Sequence, residues 1–252
     1  MDYKIAILIT TFLRDNLLYK TLQKIVDNYT NNCIVLIADQ GYADSEKDIT
    51  IDFYKSQIPL EYYKLPFDSG LAAARNFLIK KVNEKNIPYI LMMADSIQFI
   101  NKVDFQPIIQ FLEENNKRGV VGFDLLNSKC PWEFNLEIKN NKLYYTLSEL
   151  NVQYKDSIYK KVDICRNIFL AKTNTLLDLW DNEMKLCEHT LSFLEYKKRG
   201  YEVYWTDSIK FKRVSNHNNI EYETYRKRSQ DYKKLLQQKL NINEFVIPKN
   251  RK

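Results

Sequence analysis

The chain opens on an unbroken run of apolar and β-branched positions, Ile5-Ala6-Ile7-Leu8-Ile9-Thr10-Thr11. The run lacks polar alternation, so it predicts a strand buried on both faces and therefore parallel and central in its sheet. After Asp15, apolar positions at Leu17, Leu18, Leu22, Ile25 and Val26, with Thr21 among them, recur at helical spacing. A second buried strand is expected over 33–38, ending at Asp39-Gln40-Gly41, and a helix over 45–57. A third strand over 60–65 leads into Pro66-Phe67-Asp68-Ser69-Gly70, and a helix over 71–83 carries Leu71, Ala74, Leu78 and Val82 on one stripe. A fourth strand over 88–93 ends at Ala94-Asp95-Ser96. Strand and helix thus alternate four times within about 95 residues, the pattern of a parallel sheet built from βαβ units. In such sheets ligands bind beyond the carboxyl ends of the strands, where Thr10, Thr11, Asp39 and Asp95 are expected to converge.

The second half is less regular. The pattern predicts a helix over 105–115, a strand over 120–124, a hairpin over 136–147 turning at Asn140-Asn141, and a strand over 162–172. It then predicts a helix over 184–198 closed by Gly200, short strands over 202–205 and 209–213, and a long polar helix over 221–240. The apolar side of that helix carries Tyr222, Tyr225, Tyr232, Leu235 and Leu236. No Pro-, Gly- or Ser-rich linker divides the chain. We expect one domain over residues 1–252, with a nucleotide half over about 1–100, an acceptor half over 101–220 and a basic tail over 221–252.

Composition narrows the chemistry. With only five glycines, the chain contains neither GxGxxG nor GxxxxGK[ST], which argues against dinucleotide-binding dehydrogenases and P-loop NTPases. The four cysteines show no CxxC spacing, and Cys33 and Cys165 lie in apolar runs, which fits a reducing, cytoplasmic setting. The apolar run at the N-terminus is far shorter than the roughly 20 residues of a membrane span, and no signal-peptide pattern precedes it. The net charge of +6 is uneven: residues 197–252 carry 15 Lys/Arg against 6 Asp/Glu. A basic tail on a near-neutral body suggests an anionic partner, or else a solvated helix face. No groove-reading motif or stacking sheet supports a nucleic-acid partner.

Several residues are candidates for chemistry. Asp39 can accept from a base imide or a ribose hydroxyl, although Asp before Gly is also ordinary turn chemistry. Gly70 and the following alanines let a helix start approach the sheet or a ligand closely. Arg75 can serve a base carbonyl or a phosphate, or pair with Asp68. Asp95 can ligate a hard cation. Glu188 can take a proton from an acceptor hydroxyl, or act as a first-turn charge. His189 is a packed or exposed histidine in the plainer reading, and His217 could join a metal site, touch phosphate or belong to a polar loop.

Taken together, Ile-Thr-Thr-Phe-Leu-Arg (9–14), Ile-Ala-Asp-Gln-Gly (37–41), Asp-Ser-Gly-Leu-Ala-Ala-Ala-Arg-Asn (68–76) and Tyr-Ile-Leu-Met-Met-Ala-Asp-Ser (89–96) resemble the GT-A nucleotide-sugar glycosyltransferases of family 2. Segments 162–171 and 188–190 resemble those of the ganglioside N-acetylgalactosaminyltransferase subset. The resemblance implies an α/β GT-A fold with a mostly parallel central sheet flanked by helices. It implies inverting transfer from a nucleotide-sugar, expected to be a UDP-sugar, to a glycan acceptor, as in surface-polysaccharide synthesis. Donor binding would fall to Thr10, Thr11, Arg14, Asp39, Asp68, Gly70, Arg75, Asp95, Ser96 and His189, with Glu188 as general base. A divalent cation, Mn or Mg, would sit at Asp95 with His217. The acidic cluster of the family is reduced here to Ala94-Asp95-Ser96, so two other outcomes stay open: metal-independent transfer with Lys210, Lys212 or Arg213 neutralising phosphate, and a non-catalytic donor-binding subunit. The basic tail adds an expected peripheral position at the inner face of an anionic membrane.

Overall fold

The computed structural model describes residues 3–28, 32–126, 133–215 and 219–248. The N-terminal alternation forms as the pattern requires: β1 (Ile5–Thr11), α1 (Asp15–Asn28), β2 (Cys33–Asp39), α2 (Ser45–Lys55), β3 (Leu60–Lys64), α3 (Leu71–Glu84) and β4 (Tyr89–Ala94). Every residue of β1 and β2 is buried, as expected for strands covered on both faces. Ile5, Ile7 and Ile9 pack with Leu18, Leu22 and Ile25 of α1 and Ile51 and Tyr54 of α2. Ala6 and Leu8 point the other way, onto Ala74, Leu78 and Val82 of α3. The period-2 alternation of the strand thus divides one apolar run between two cores. Each fully buried Leu or Ile stabilises the fold by about 1.5–3 kcal/mol of transfer free energy.

The chain continues through β5 (Ile97–Phe99), α4 (Gln106–Glu113), β6 (Arg118–Leu126), β7 (Phe134–Lys139), β8 (Lys142–Leu147), β9 (Asn151–Tyr154), β10 (Ser157–Val162) and β11 (Phe169–Lys172). It closes with α5 (Glu188–Lys198), β12 (Glu202–Arg213), α6 (Ile220–Lys227), α7 (Ser229–Leu240) and β13 (Glu244–Val246). The large sheet runs β3-β2-β1-β4-β11-β6-β12-β10-β9, with β5 paired to β12. Strands β3, β2, β1 and β4 are mutually parallel, and β6 and β12 form a further parallel pair. A three-stranded sheet, β13-β8-β7, covers the α3 face. The α/β architecture with a parallel central sheet therefore holds.

The second half departs from the expected elements in five places. The run 162–172 is two strands, because Asp163 turns its carboxylate to the Leu136 amide at 2.7 Å and to Lys197 at 2.7 Å and breaks the ladder. The two short strands expected over 202–213 are one strand, β12, with a register shift between Thr206 and Lys210. The helix expected from 184 starts only at Glu188, because Cys187 adopts a left-handed backbone with φ 60°. The long polar helix divides into α6 and α7 at Arg228. The β9–β10 hairpin, turned at Lys155 with φ 50°, was not expected, because its strands are largely polar. The hairpin around Asn140-Asn141 does form, and both residues take the positive φ that asparagine tolerates.

Candidate functional site

At the carboxyl ends of β1, β2 and β4 lies a crevice of about 410 Å³. Its floor is Thr10, Thr11, Gln40, Ala94 and Ser96; its walls include Arg14, Asp68, Gly70, Arg75, Glu188 and His189. This is the end of the sheet at which parallel topology puts ligands. Thr11 is register partner to Asp39, and Thr10 to Ala94, so the three strands deliver their last residues side by side.

Asp95 follows β4 and is fully buried. Its Oδ2 accepts from Thr11 Oγ1 at 3.0 Å and Arg14 Nε at 3.1 Å, and Arg14 also pairs with Oδ1. The Asp95 carbonyl accepts from Thr21 Oγ1 at 2.8 Å, which ties it to α1. Burial pushes the Asp95 carboxyl above its ordinary value, against the pull of Arg14 and Thr11. Arg14 in turn lies over the Tyr222 ring, 4.4 Å from its centroid.

The Asp39 carboxylate is also buried, and it lies outside the lining of the crevice. Oδ1 accepts from the Gly41 amide at 2.7 Å. Oδ2 accepts from Tyr62 Oη at 2.5 Å, Lys47 Nζ at 2.9 Å and Lys64 Nζ at 3.0 Å. Burial alone would raise its pKa, but these donors outweigh burial and hold it below the usual carboxylate range. Lys47 is itself buried and also reaches Asp15 at 2.8 Å. Of Asp39, Arg75 and Asp95, which were expected to line one crevice, only Arg75 lines it. The other two lie outside its lining, and cationic neighbours claim their oxygens: Arg14, just before α1, holds Asp95, and Lys47 of α2 and Lys64 of β3 hold Asp39. Gln40 faces inward instead, its Oε1 taking the Gly70 amide at 2.6 Å and Ser69 Oγ at 3.3 Å.

Arg75 pairs with Glu188, not with Asp68: Nη1 lies 2.5 Å from Oε1, and both side chains are about 95% buried. Among the described residues Glu188 Oε2 has no hydrogen-bond donor. His189 donates from Nε2 to the Cys165 carbonyl at 2.5 Å and meets the Phe193 ring edge-on. Burial, helped by the nearby Arg75 charge, pushes its pKa down to about 4, so the imidazole is neutral at pH 7. Asp68 takes a bidentate pair from Arg228 at 2.7 and 2.9 Å, and Lys185 adds a contact at 3.1 Å. Burial would raise the Asp68 pKa, but these two cations bring it below the ordinary value.

Sequence reasoning missed the contribution of the C-terminal helices. Tyr222, Tyr225, Arg226 and Arg228 all line the crevice. Tyr225 packs edge-on against Phe12 and Phe67, and Phe67 stacks on Tyr42 with centroids 4.6 Å apart. The signal was the i, i+3 aromatic pair Tyr222/Tyr225, which was assigned to the apolar side of a helix without a destination. His217 lies outside the described residues.

Residues 6–162 of the 252-residue chain match the family described as Glycosyl transferase family 2. The chain belongs to glycosyl transferase family 2. The β-1,4 N-acetylgalactosaminyltransferase 2 of Mus musculus is 33% identical over 119 residues, which cover 47% of this chain and 21% of the mouse protein. This family 2 chain therefore spans about a fifth of the length of that relative. Among solved structures, S. aureus TarS in complex with UDP-GlcNAc is similar with TM-score 0.62 and 13% identity over 86% of this chain and 60% of that one. The mannosyltransferase PcManGT of Pyrobaculum calidifontis, in complex with GDP-Man and Mn2+, gives TM-score 0.61 and 10% identity over 92% and 62%. The shared architecture is the α/β GT-A fold.

Whether these residues suit the cation implied by the family resemblance is a question of donor chemistry. Mn and Mg need several hard oxygen ligands, usually carboxylates. Both Asp95 oxygens already serve Arg14 and Thr11, and the next residue is the neutral Ser96. Among the described residues no group of three or more His, Cys, Asp or Glu side chains gathers. The described residues around Asp95 do not fit a resident divalent cation.

Proposed function

We propose that this chain is an inverting glycosyltransferase that moves a sugar, an N-acetylhexosamine, from a UDP-sugar donor to a glycan acceptor in surface-polysaccharide synthesis. The single observation that carries the reading is that the strand ends Thr10 and Thr11, with Ser96 just beyond β4, share one crevice with Glu188. The first is where a family 2 chain would hold the nucleoside diphosphate. The second is where an acceptor would need a base. UDP is favoured because TarS was solved with UDP-GlcNAc, and the amino sugar because the mouse relative is an N-acetylgalactosaminyltransferase. Thr10, Thr11, Arg14, Gly70 and Gln40 would border the nucleotide, with Asp39 and Asp95 acting from behind by fixing the loops that carry them.

In the proposed step an acceptor hydroxyl oxygen attacks the anomeric carbon while the bond from that carbon to the diphosphate oxygen breaks. The hydroxyl proton passes to Glu188, and the leaving group departs as UDP. Arg75 holds Oε1 and so aims Glu188, leaving Oε2 as the proton acceptor.

The test is transfer from a panel of UDP-sugars, followed by the anomeric configuration of the product. Inversion is expected. Glu188→Gln, which still offers Arg75 an acceptor, should lower turnover by about 100-fold or more while UDP binding stays within about 3-fold. UDP binding with no transfer by the wild-type chain would favour the alternative, a donor-binding subunit without catalysis; the burial of the Arg75–Glu188 pair is the observation on that side. We also infer work at an anionic membrane surface on the cytoplasmic side, supported by the exposed Lys227, Lys233 and Lys234 of α6 and α7.

A further inference from the structure

We propose that Arg213 and Arg226 take the charge-neutralising role of a divalent cation, so that this chain binds a nucleoside diphosphate and releases it without metal. The inference rests on the donor reading above and goes beyond it by assigning the diphosphate to two side chains. Leaving-group charge in such a transfer must be stabilised by a cation or by fixed positive side chains. The acidic groups that would recruit a metal are unsuited to it: Asp95 is saturated by Arg14 and Thr11, and Ser96 carries no charge.

Positive charge stands beside this very place. Arg213 ends β12 and is the register partner of Ile97, the residue after Ser96. The next amide in the chain, Val214, donates to the Ser96 carbonyl at 2.8 Å. The strand next to the missing carboxylate therefore presents a guanidinium at the crevice. A metal at Ser96 would be repelled by Arg213, whereas a phosphate there would be held. Arg226 lines the same crevice from α6.

The other cations have partners. Arg14 serves Asp95, Arg75 serves Glu188, and Lys185 and Arg228 serve Asp68. Arg213 and Arg226 line the crevice, are exposed, and carry no ion pair among the described residues. Two guanidinium groups bring the same formal charge as one divalent cation, with planar donor forks suited to phosphate oxygens.

The experiment measures binding of UDP and of uridine, by calorimetry, to the full chain and to Arg213→Gln, Arg226→Gln and the double variant, each in EDTA and in Mn2+. For the wild type, UDP affinity in EDTA should lie within about 10-fold of that in Mn2+, because guanidinium–phosphate bonds and not coordination hold the diphosphate. Each single variant should lose about 10-fold in UDP affinity and the double variant about 100-fold, with uridine affinity unchanged, as expected when charged hydrogen bonds are removed. Arg→Lys at either site should restore part of the loss. The unchanged uridine affinity separates a charge contact from a folding defect. Wild-type UDP binding that weakens more than about 10-fold in EDTA, or a double variant that binds UDP like the wild type, overturns the inference and leaves the donor reading standing. A wild-type chain that binds neither ligand in either buffer overturns both.

Discussion

At the scale of single residues, the carboxylates in and around the crevice are each answered by a cation, and all but the half-buried Asp68 are buried. Asp39, Asp68, Asp95 and Glu188 each meet a lysine or arginine from a different element, so every carboxylate also fastens two parts of the chain together. Removing one partner of such a pair costs more than the pair contributes, because the survivor is left charged in a dry site. His189 is the exception: it is buried neutral, with its neighbour Arg75 opposing protonation. This gives a pH dependence of definite sign. Unfolded, the imidazole takes a proton near pH 6.5; folded, it resists down to about 4. Stability is therefore full above about pH 6.5 and is lost as pH falls toward 4, by on the order of 3 kcal/mol in total. Urea titrations at pH 7.5 and 4.5 should show a smaller acid loss for His189→Gln than for the wild type, by about 2–3 kcal/mol. The loss from carboxylates such as Asp39 is common to both chains and cancels in the difference. An identical acid loss in the two chains would show that this histidine is not buried as the neutral base.

At the scale of elements, the site depends on how closely two segments approach. Gly70 precedes α3 with φ +96°, and a Cβ there would lie 2.7–2.9 Å from Lys185. Gly70→Ala should therefore cost about 2–3 kcal/mol, from the left-handed backbone and the clash together. It should also weaken UDP binding, because the 185–188 segment that carries Glu188 must move away. Gly200→Ala is the control: φ is +82°, but nothing lies within 4 Å, so about 1 kcal/mol should be lost with UDP binding intact. Thermal melts and calorimetry of the two variants check both halves; equal UDP affinities would show that the approach of Gly70 to Lys185 does not shape the site. The N-terminal elements were legible because a buried strand and a one-faced helix each write their period into the sequence: β1 has the predicted bounds, and α3 ends within a residue of the expected position. The later elements were less legible because tertiary contacts set their ends. Asp163 breaks one strand by bonding elsewhere, Cys187 shortens a helix through one backbone angle, and polar β9 pairs without an apolar signature. The site was legible in the same uneven way. Strand ends announced Thr10 and Thr11, whereas nothing local could tell that Lys47 and Lys64 would claim the Asp39 carboxylate, or that a tail helix would return to the crevice.

At the scale of the whole molecule, the position of the basic C-terminal region decides how a membrane role can be tested. Tyr222, Tyr225 and Arg228 of this region build the crevice wall, so truncation before α6 would destroy the site along with any surface charge. Lys227, Lys233 and Lys234 are exposed on the same two helices and make no ion pair among the described residues. Near an anionic bilayer each would contribute about 1 kcal/mol, falling off within a Debye length of about 8–10 Å. Among the described residues no helix is long and apolar enough to cross a membrane, so attachment through these helices would be electrostatic and sensitive to salt. Reversing the three lysines to glutamate should abolish flotation with phosphatidylserine-containing liposomes at about 0.1 M salt, with UDP affinity unchanged. Raising the salt to about 0.5 M should release the wild type in the same way. Flotation that resists both the charge reversal and the salt would place the attachment elsewhere on the chain. Charge reversal that abolished UDP binding as well would mean that the two surfaces are one. On the geometry of α6 they are separate: Tyr222, Tyr225 and Arg226 are turned to the crevice, and Lys227 is outside its lining.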